Sequence, residues 1–194
     1  MPRADARITR QRLVETAVAL LDEHGPDALT LTAVASALGV RTPSLYHHVD
    51  GLDGLRLDVR VHGIERLGDA LQRAATGRSG RDALAAVARA YVGFGRHQPG
   101  LYALTLAGSD DGDERVRAAA GRVLDTVLAV LRGYGLEGEA ALHATRFVRS
   151  ALHGFTALER AGGFALPLDR DASFYHLVDA VDAGLERLAA ASPS

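Results

Sequence analysis

Apolar residues recur at helical spacing along nearly the whole chain, and Gly and Pro interrupt that period at intervals. The first segment runs from about Thr9 to His24, with Leu13, Val14, Ala17, Val18 and Leu21 on one face, and Gly25-Pro26 stops it. The second is short: Leu31, Val34 and Leu38 share a face, Thr30 is placed to cap its start, and Gly39 its end. The third begins at Thr42-Pro43, read as an N-cap followed by Pro in the first helical position, and ends at Asp50-Gly51. A long segment follows from about Leu52 to Thr76, apolar on two sides (Leu52, Leu55, Val59; then Leu57, Val61, Ile64, Leu71), as a helix between neighbours must be. Further segments are expected at about 81–97, 100–107, 113–132, 138–161 and 172–190, separated by Gly-rich breaks. No stretch alternates as a half-buried strand does. The expectation is an all-α chain of about nine helices, without internal repeats or low-complexity segments.

At 194 residues and 20.4 kDa the chain has room for one large domain or two small ones around a sizeable core. Apolar residues make up 47% and charged residues 24%, which excludes a disordered chain. Cysteine is absent, which excludes disulfides, thiolate metal sites and Cys nucleophiles, and fits a reducing compartment. No apolar run is long enough to span a bilayer, and the basic start MPRADARITRQR has no apolar segment behind it to make a secretory signal. A cytoplasmic protein without membrane contact is the expectation. HExxH, GxSxG and the phosphate-cradling Gly-Lys-Ser/Thr loop are all missing, so no catalytic residue, metal ligand or cofactor is assigned. A helical enzyme built on scattered His residues is the weaker alternative, and a purely structural helical protein another.

The charge balance at first argues against a polyanion partner. Twenty-two basic residues, all Arg, oppose 24 acidic ones for a net −2, and residues 1–50 carry five Arg against six acids. The exclusive use of Arg fits a coding bias, or the bidentate contacts that guanidinium makes with phosphate. The one concentrated positive stretch is the first twelve residues, with Arg3, Arg7, Arg10 and Arg12 against Asp5. The pattern LTAVASALGVRTPSLYHHV nevertheless has the parts of a helix-turn-helix. Ala35 lets two helices cross closely, Gly39 permits the turn, and Val40 and Leu45 pack the pair. In such a motif the second helix enters the major groove and its first residues meet base edges.

This stretch resembles the DNA-binding domain of the tetracycline-repressor (TetR) family of transcriptional regulators. The resemblance rests on Ala17, Gly25, Leu29-Thr30, Val34-Ala35, Leu38-Gly39-Val40 and above all on Thr42-Pro43-Ser44-Leu45-Tyr46-His47-His48-Val49. A second stretch, Arg149 to Phe155 with Leu158-Glu159 and Gly163-Phe164, is similar to a C-terminal regulatory domain of the family that carries Trp-His-Gly, where this chain has Leu152-His153-Gly154. The resemblance implies a helix-turn-helix domain over residues 1–50, a connecting helix over 51–78, and a ligand-binding and dimerisation domain over 79–194.

It also implies roles. Arg41, Thr42 and Ser44 stand where base edges are reachable. Pro43 presents an apolar surface suited to a thymine methyl. Tyr46 and His48 match positions that contact phosphate or bases, with His47 between them. Thr30 and Thr32 stand at the positive end of the second helix, where phosphate binds well. Arg3, Arg7 and Arg10 suit phosphate or minor-groove contact. Where the family often carries a phosphate-clamping Lys, this chain has Leu52.

In the second half the resemblance implies a small-molecule effector site. Its polar candidates are His62, Tyr91, His97, Tyr102, Arg146 and His153, and its walls Phe94, Leu124, Val127 and Phe147. The eighth and ninth predicted helices carry stripes (Leu142, Phe147, Ala151, Phe155, Leu158; Phe174, Leu177, Val178, Val181, Leu185, Leu188) that the resemblance makes a homodimer interface. From the residues alone these stripes serve equally as intramolecular core. A dimer has an independent rationale: two recognition elements about 34 Å apart read a palindromic double-stranded DNA operator that one copy cannot specify. The expected function is a ligand-responsive DNA-binding regulator, a repressor released from its operator by a population shift. An activator or a ligand-independent DNA binder is the alternative within regulation.

Overall fold

A computed structural model of the chain describes residues 8–106 and 112–191. Eight α-helices and two short 3-10 segments account for the described elements, and no strand occurs among these residues. The helices are α1 (Arg10–His24), α2 (Leu31–Leu38), α3 (Gly51–Ala75), α4 (Gly80–His97), α5 (Pro99–Leu106), α6 (Glu114–Arg132), α7 (Gly138–Arg160) and α8 (Arg170–Ala191). The 3-10 segments are Pro26–Ala28 and Thr42–His47. The all-α expectation is met, with boundaries within two residues of those read from the periodicity.

The described residues of 1–64 and 98–116 pack as one compact unit, and those of 65–97 and 117–194 as another. In the first unit, Thr9 caps α1, its hydroxyl oxygen accepting the Arg12 N–H at 3.2 Å. The stripe Leu13, Val14, Ala17, Val18 and Leu21 is buried throughout. Thr30 caps α2 in the same way, accepting the Ala33 N–H at 3.1 Å. Gly39 ends α2 in the left-handed region (φ 69°, ψ 29°), which only Gly enters without strain. Its N–H donates to Ser36 O at 3.1 Å while Val40 N–H donates to Ala35 O at 2.9 Å, the paired bonds of a Schellman stop.

The next element departs from expectation. Thr42–His47 winds as a 3-10 helix, and the residue that caps it is Arg41, in extended backbone, rather than Thr42. Ser44 N–H donates to Arg41 O and His48 N–H to Leu45 O, both at 2.9 Å and both three residues back. The element is six residues long, short enough for three-residue bonding to close it, and Pro43 sits in its first turn, where a missing N–H costs no intrahelical bond.

Helix α1 also docks on α5. The Asp22 carboxylate accepts the N–H groups of Gly100 (3.1 Å) and Leu101 (3.3 Å), filling the role of an N-terminal cap for α5. Leu101 and Tyr102 are fully buried behind it.

The second unit packs α4, α7 and α8 against one another. Phe155, Phe164 and Phe174 form an aromatic cluster, with the Phe155 ring 5.0 Å from Phe164 and 5.6 Å, edge-on, from Phe174. Arg96 grips Glu159 with two bonds of 2.7 and 2.8 Å and Asp171 with a third of 3.1 Å, joining α4 to α7 and α8. The Tyr134 hydroxyl donates to Asp182 at 2.5 Å, and Arg81 pairs with Asp179 and Asp182.

Candidate nucleic-acid interface

The 3-10 winding decides which side chains the helix-turn-helix presents. At three residues per turn, Thr42, Leu45 and His48 fall on one line, Pro43 and Tyr46 on a second, and Ser44 and His47 on a third. The burial follows those lines. Leu45 is fully buried and anchors the element, with Thr42 and His48 half-buried beside it. Pro43, Tyr46 and His47 are exposed, and Ser44 is half-buried. Tyr46 keeps 59% of its surface open, so its ring is not part of the core. Arg41 is exposed at the cap, and Thr30 and Thr32 are exposed at the start of α2. The outward surface is thus Arg41, Pro43, Tyr46 and His47, held in place by Leu45 below. A guanidinium, an apolar ring, a phenol and an imidazole suit phosphate, thymine methyl and base edges.

Arg10 does not stand ready for DNA in the way expected of it. Its guanidinium makes two bonds of 2.5 Å to the Asp58 carboxylate on α3. That hydrogen bonding raises its pKa further, against a smaller opposing effect of burial. No local pattern announces this pair, whose members stand 48 residues apart. Arg3 and Arg7 lie outside the described residues. Arg56 escaped the sequence reading. It is exposed one helical turn beyond Leu52, and among the described residues no carboxylate pairs with it. Its spacing of four from Leu52 was the available signal.

The residues expected to hold an effector are divided between the units. His62 and Tyr102 belong to the first unit and the others to the second. Tyr91, Phe94 and Tyr102 are buried, and His62, Leu124, Val127 and His153 half-buried. Three do not fit the expected role. His97 is exposed, with Nδ1 2.6 Å from the Gly93 carbonyl of its own helix. Arg146 and Phe147 are exposed on α7, and Phe147 lies over Gly184 of α8, where a Cβ would stand 3.0 Å from its ring. The cause is rotational: Ala144 and Val148 take the buried face of α7 at that level. The second unit also has a cavity of about 630 Å³ lined by Arg96, Glu159, Arg160, Leu168, Asp169, Arg170 and Asp171, and none of the expected effector residues lines it.

The apolar stripes of α7 and α8 are sorted by the structure. Phe155, Phe174, Val178, Val181 and Leu185 are intramolecular core. Phe147 and Leu158 remain exposed and share a face of α7 with Ala151 and Gly154. Leu142 is also exposed, about 140° round the helix from Phe147, and does not belong to that face. Among the described residues no group of His, Cys, Asp and Glu is arranged to hold a metal ion, and no helix is long and apolar enough to cross a membrane.

Comparison with known proteins places this geometry. Residues 13–56 match the family model described as bacterial regulatory proteins, tetR family, and residues 84–181 match that of the tetracyclin repressor-like C-terminal domain. An HTH-type transcriptional regulator of Mycobacterium tuberculosis is 41% identical over 183 residues, covering 94% of this chain and 84% of its own length. A solved protein of unknown function from Rhodococcus sp. RHA1 shares the fold with a TM-score of 0.81 at 23% identity, covering 95% of this chain and all of the other. The Streptomyces coelicolor TetR family protein ActR, solved in complex with (S)-DNPA, has a TM-score of 0.66 at 20% identity, covering 93% of this chain and 98% of its own. With the amino-terminal model spanning the helix-turn-helix, the carboxy-terminal model running from α4 into α8, and one relative matched over nearly the whole length, the chain belongs to the TetR family of DNA-binding transcriptional regulators.

Proposed function

We propose that the chain is a homodimeric repressor that acts in the cytoplasm and leaves a palindromic operator when a small molecule binds. The observation that carries the reading is the outward surface of the 3-10 helix: Arg41, Pro43, Tyr46 and His47 exposed, over a fully buried Leu45. Exposed aromatic and cationic groups on a rigidly anchored element suit groove recognition. Arg56 extends the surface as a phosphate contact in place of the missing Lys at Leu52. Dimerisation is supported by the exposed face of Phe147, Ala151, Gly154 and Leu158 on α7, since an apolar helix face left open in one copy suits burial in two. Effector control is supported by the likeness to ActR, a protein solved with a small molecule bound. The effector itself works through its differential affinity for the operator-competent and operator-incompetent forms.

The test starts from a random pool of duplex DNA. The full chain should enrich a palindrome with half-sites about one helical turn apart, and its affinity should fall steeply with salt. Placed upstream of a reporter, that palindrome should give lower expression when the chain is present. Failure to enrich any duplex overturns DNA readout, and higher expression overturns the repressor assignment. A hydrophobic compound library screened by thermal shift should yield molecules that both raise the melting temperature and weaken the selected duplex complex. A library that stabilises the chain without touching DNA affinity overturns effector control.

A further inference from the structure

Four charged side chains from three separate parts of the chain meet within the first unit. Asp58, on α3, has only 4% of its side chain exposed. It accepts two bonds from Arg10, at the start of α1, and one of 2.9 Å from Arg115, in the first turn of α6. Arg115 in turn holds Asp113 through a bond of 3.0 Å. Both guanidinium groups are partly open to water, at 56% and 45% of their side chains, while the carboxylate they share is not. A carboxylate this deeply buried is costly unless its lone pairs are filled by charged donors, and here they are. The cluster is therefore a fixed joint with one set of partners.

Its location gives it a consequence. Helix α1 packs on α2, and α2 on the 3-10 helix that bears Tyr46. The pose of α1 thus sets the pose of the reading surface. That helix is held at both ends by residues outside the helix-turn-helix. At its start Arg10 is tied to Asp58 and so to Arg115; at its end Asp22 is tied to Gly100 and Leu101.

We infer that Asp58 is a positioning residue for operator recognition, acting through Arg10 on α1, with Arg115 completing its coordination. Arg10 uses its charge inside the protein rather than on the DNA backbone. The operator-reading body is accordingly discontinuous in sequence and includes the described residues of 98–116. This inference rests on the DNA-reading function proposed above.

The experiment uses the full chain, the duplex it selects from a random pool, and a scrambled duplex of the same length. Asp58→Asn and Arg10→Ala should each lower affinity for the selected duplex by about tenfold, the scale of a lost charged hydrogen bond. Affinity for the scrambled duplex and the slope of log affinity against log salt should stay as in wild type, whereas Arg41→Ala should lower that slope by about one. Equal losses on both duplexes would mean a merely structural role and overturn the inference. So would a slope reduced by about one in Arg10→Ala, which marks a direct phosphate contact, or an Asp58→Asn variant that discriminates as well as wild type. If Asp58→Asn fails to fold by circular dichroism, Arg115→Gln carries the test, because it leaves the Arg10–Asp58 pair intact. It should lose discrimination to a smaller extent, and unchanged discrimination overturns the inference. A wild-type chain that selects no duplex overturns the regulator reading itself, a result distinct from any of these.

Discussion

A Cβ on Gly100 would stand 2.3 Å from the carbonyl oxygen of Leu21. Backbone meets backbone there, at the join of α1 and α5, so no rotamer change can relieve the contact. The Asp22 carboxylate bonded to Gly100 N–H draws the two helices to that distance. Gly100→Ala should therefore destabilise the first unit by at least about 2 kcal/mol, as overpacking against an unyielding neighbour does. Asp22→Ala, which removes the capping carboxylate but leaves room, should cost about 1 kcal/mol. Urea unfolding followed by circular dichroism reads both, and a Gly100→Ala protein as stable as wild type refutes the close-packing account.

The 3-10 winding makes a prediction that an α-helical recognition element would not. Tyr46→Ala and Arg41→Ala, at exposed positions, should leave stability within about 0.5 kcal/mol. Each should weaken binding to the selected duplex by about tenfold or more. Thr42→Ala and His48→Ala, on the line of buried Leu45, should change affinity by less than about threefold, since they lie beside the anchor rather than on the outer surface. An α-helix would set Thr42 and Tyr46 on the same face. Comparable losses for Thr42→Ala and Tyr46→Ala in a fluorescence anisotropy titration would contradict the observed winding.

Local signals carried the fold, and nonlocal pairing carried what they missed. Thr30, Gly39 and the α1 stripe are legible because a cap, a left-handed stop and a helical period each lie within a few neighbouring residues. The 3-10 winding of Thr42–His47 was not, since Pro followed by a short run suits either helix type. Arg10 looked like a free phosphate contact because its partner is 48 residues away. Phe147 and Phe155 look alike in a period; which one faces the core depends on where α8 lies, and only Phe155 is buried. Leu142 shows the same limit, an apolar residue that belongs to neither the core nor the exposed face of Phe147.

The Tyr134 phenol has its pKa pushed well above the ordinary tyrosine value, first by burial, then by its hydrogen bond to Asp182 and the charge of that carboxylate. The folded protein therefore holds this proton more tightly than the unfolded chain. The stabilisation is fully present below the unfolded tyrosine pKa of about 10 and is lost as pH rises from there toward the folded value. Tyr134→Phe should lower stability at neutral pH by about 1 kcal/mol, the worth of one such hydrogen bond. It should also flatten the decline above pH of about 10. Denaturant midpoints across the alkaline range measure both, and a variant whose alkaline profile overlays wild type would show that Tyr134 is not the group responsible.

The dimer reading is best tested at Gly154 rather than at the larger apolar residues. Phe147 rests on Gly184 within the same chain, so changing it disturbs the α7–α8 packing as well as any interface. Gly154 shares the exposed face with Phe147 and Leu158, and a Cβ there would meet nothing within 4 Å. Replacing a helical Gly raises helix propensity by about 0.5–1 kcal/mol, so Gly154→Glu should fold at least as well as wild type. In a dimer that buries this face on its two-fold axis, the same substitution sets two carboxylates against each other in an apolar seam. Sedimentation should then show a monomer where wild type is dimeric. The selected palindrome should be bound at least about tenfold more weakly, because the second half-site no longer adds its contribution. A Gly154→Glu protein that stays dimeric, with palindrome affinity unchanged, would place the interface on another face of the molecule.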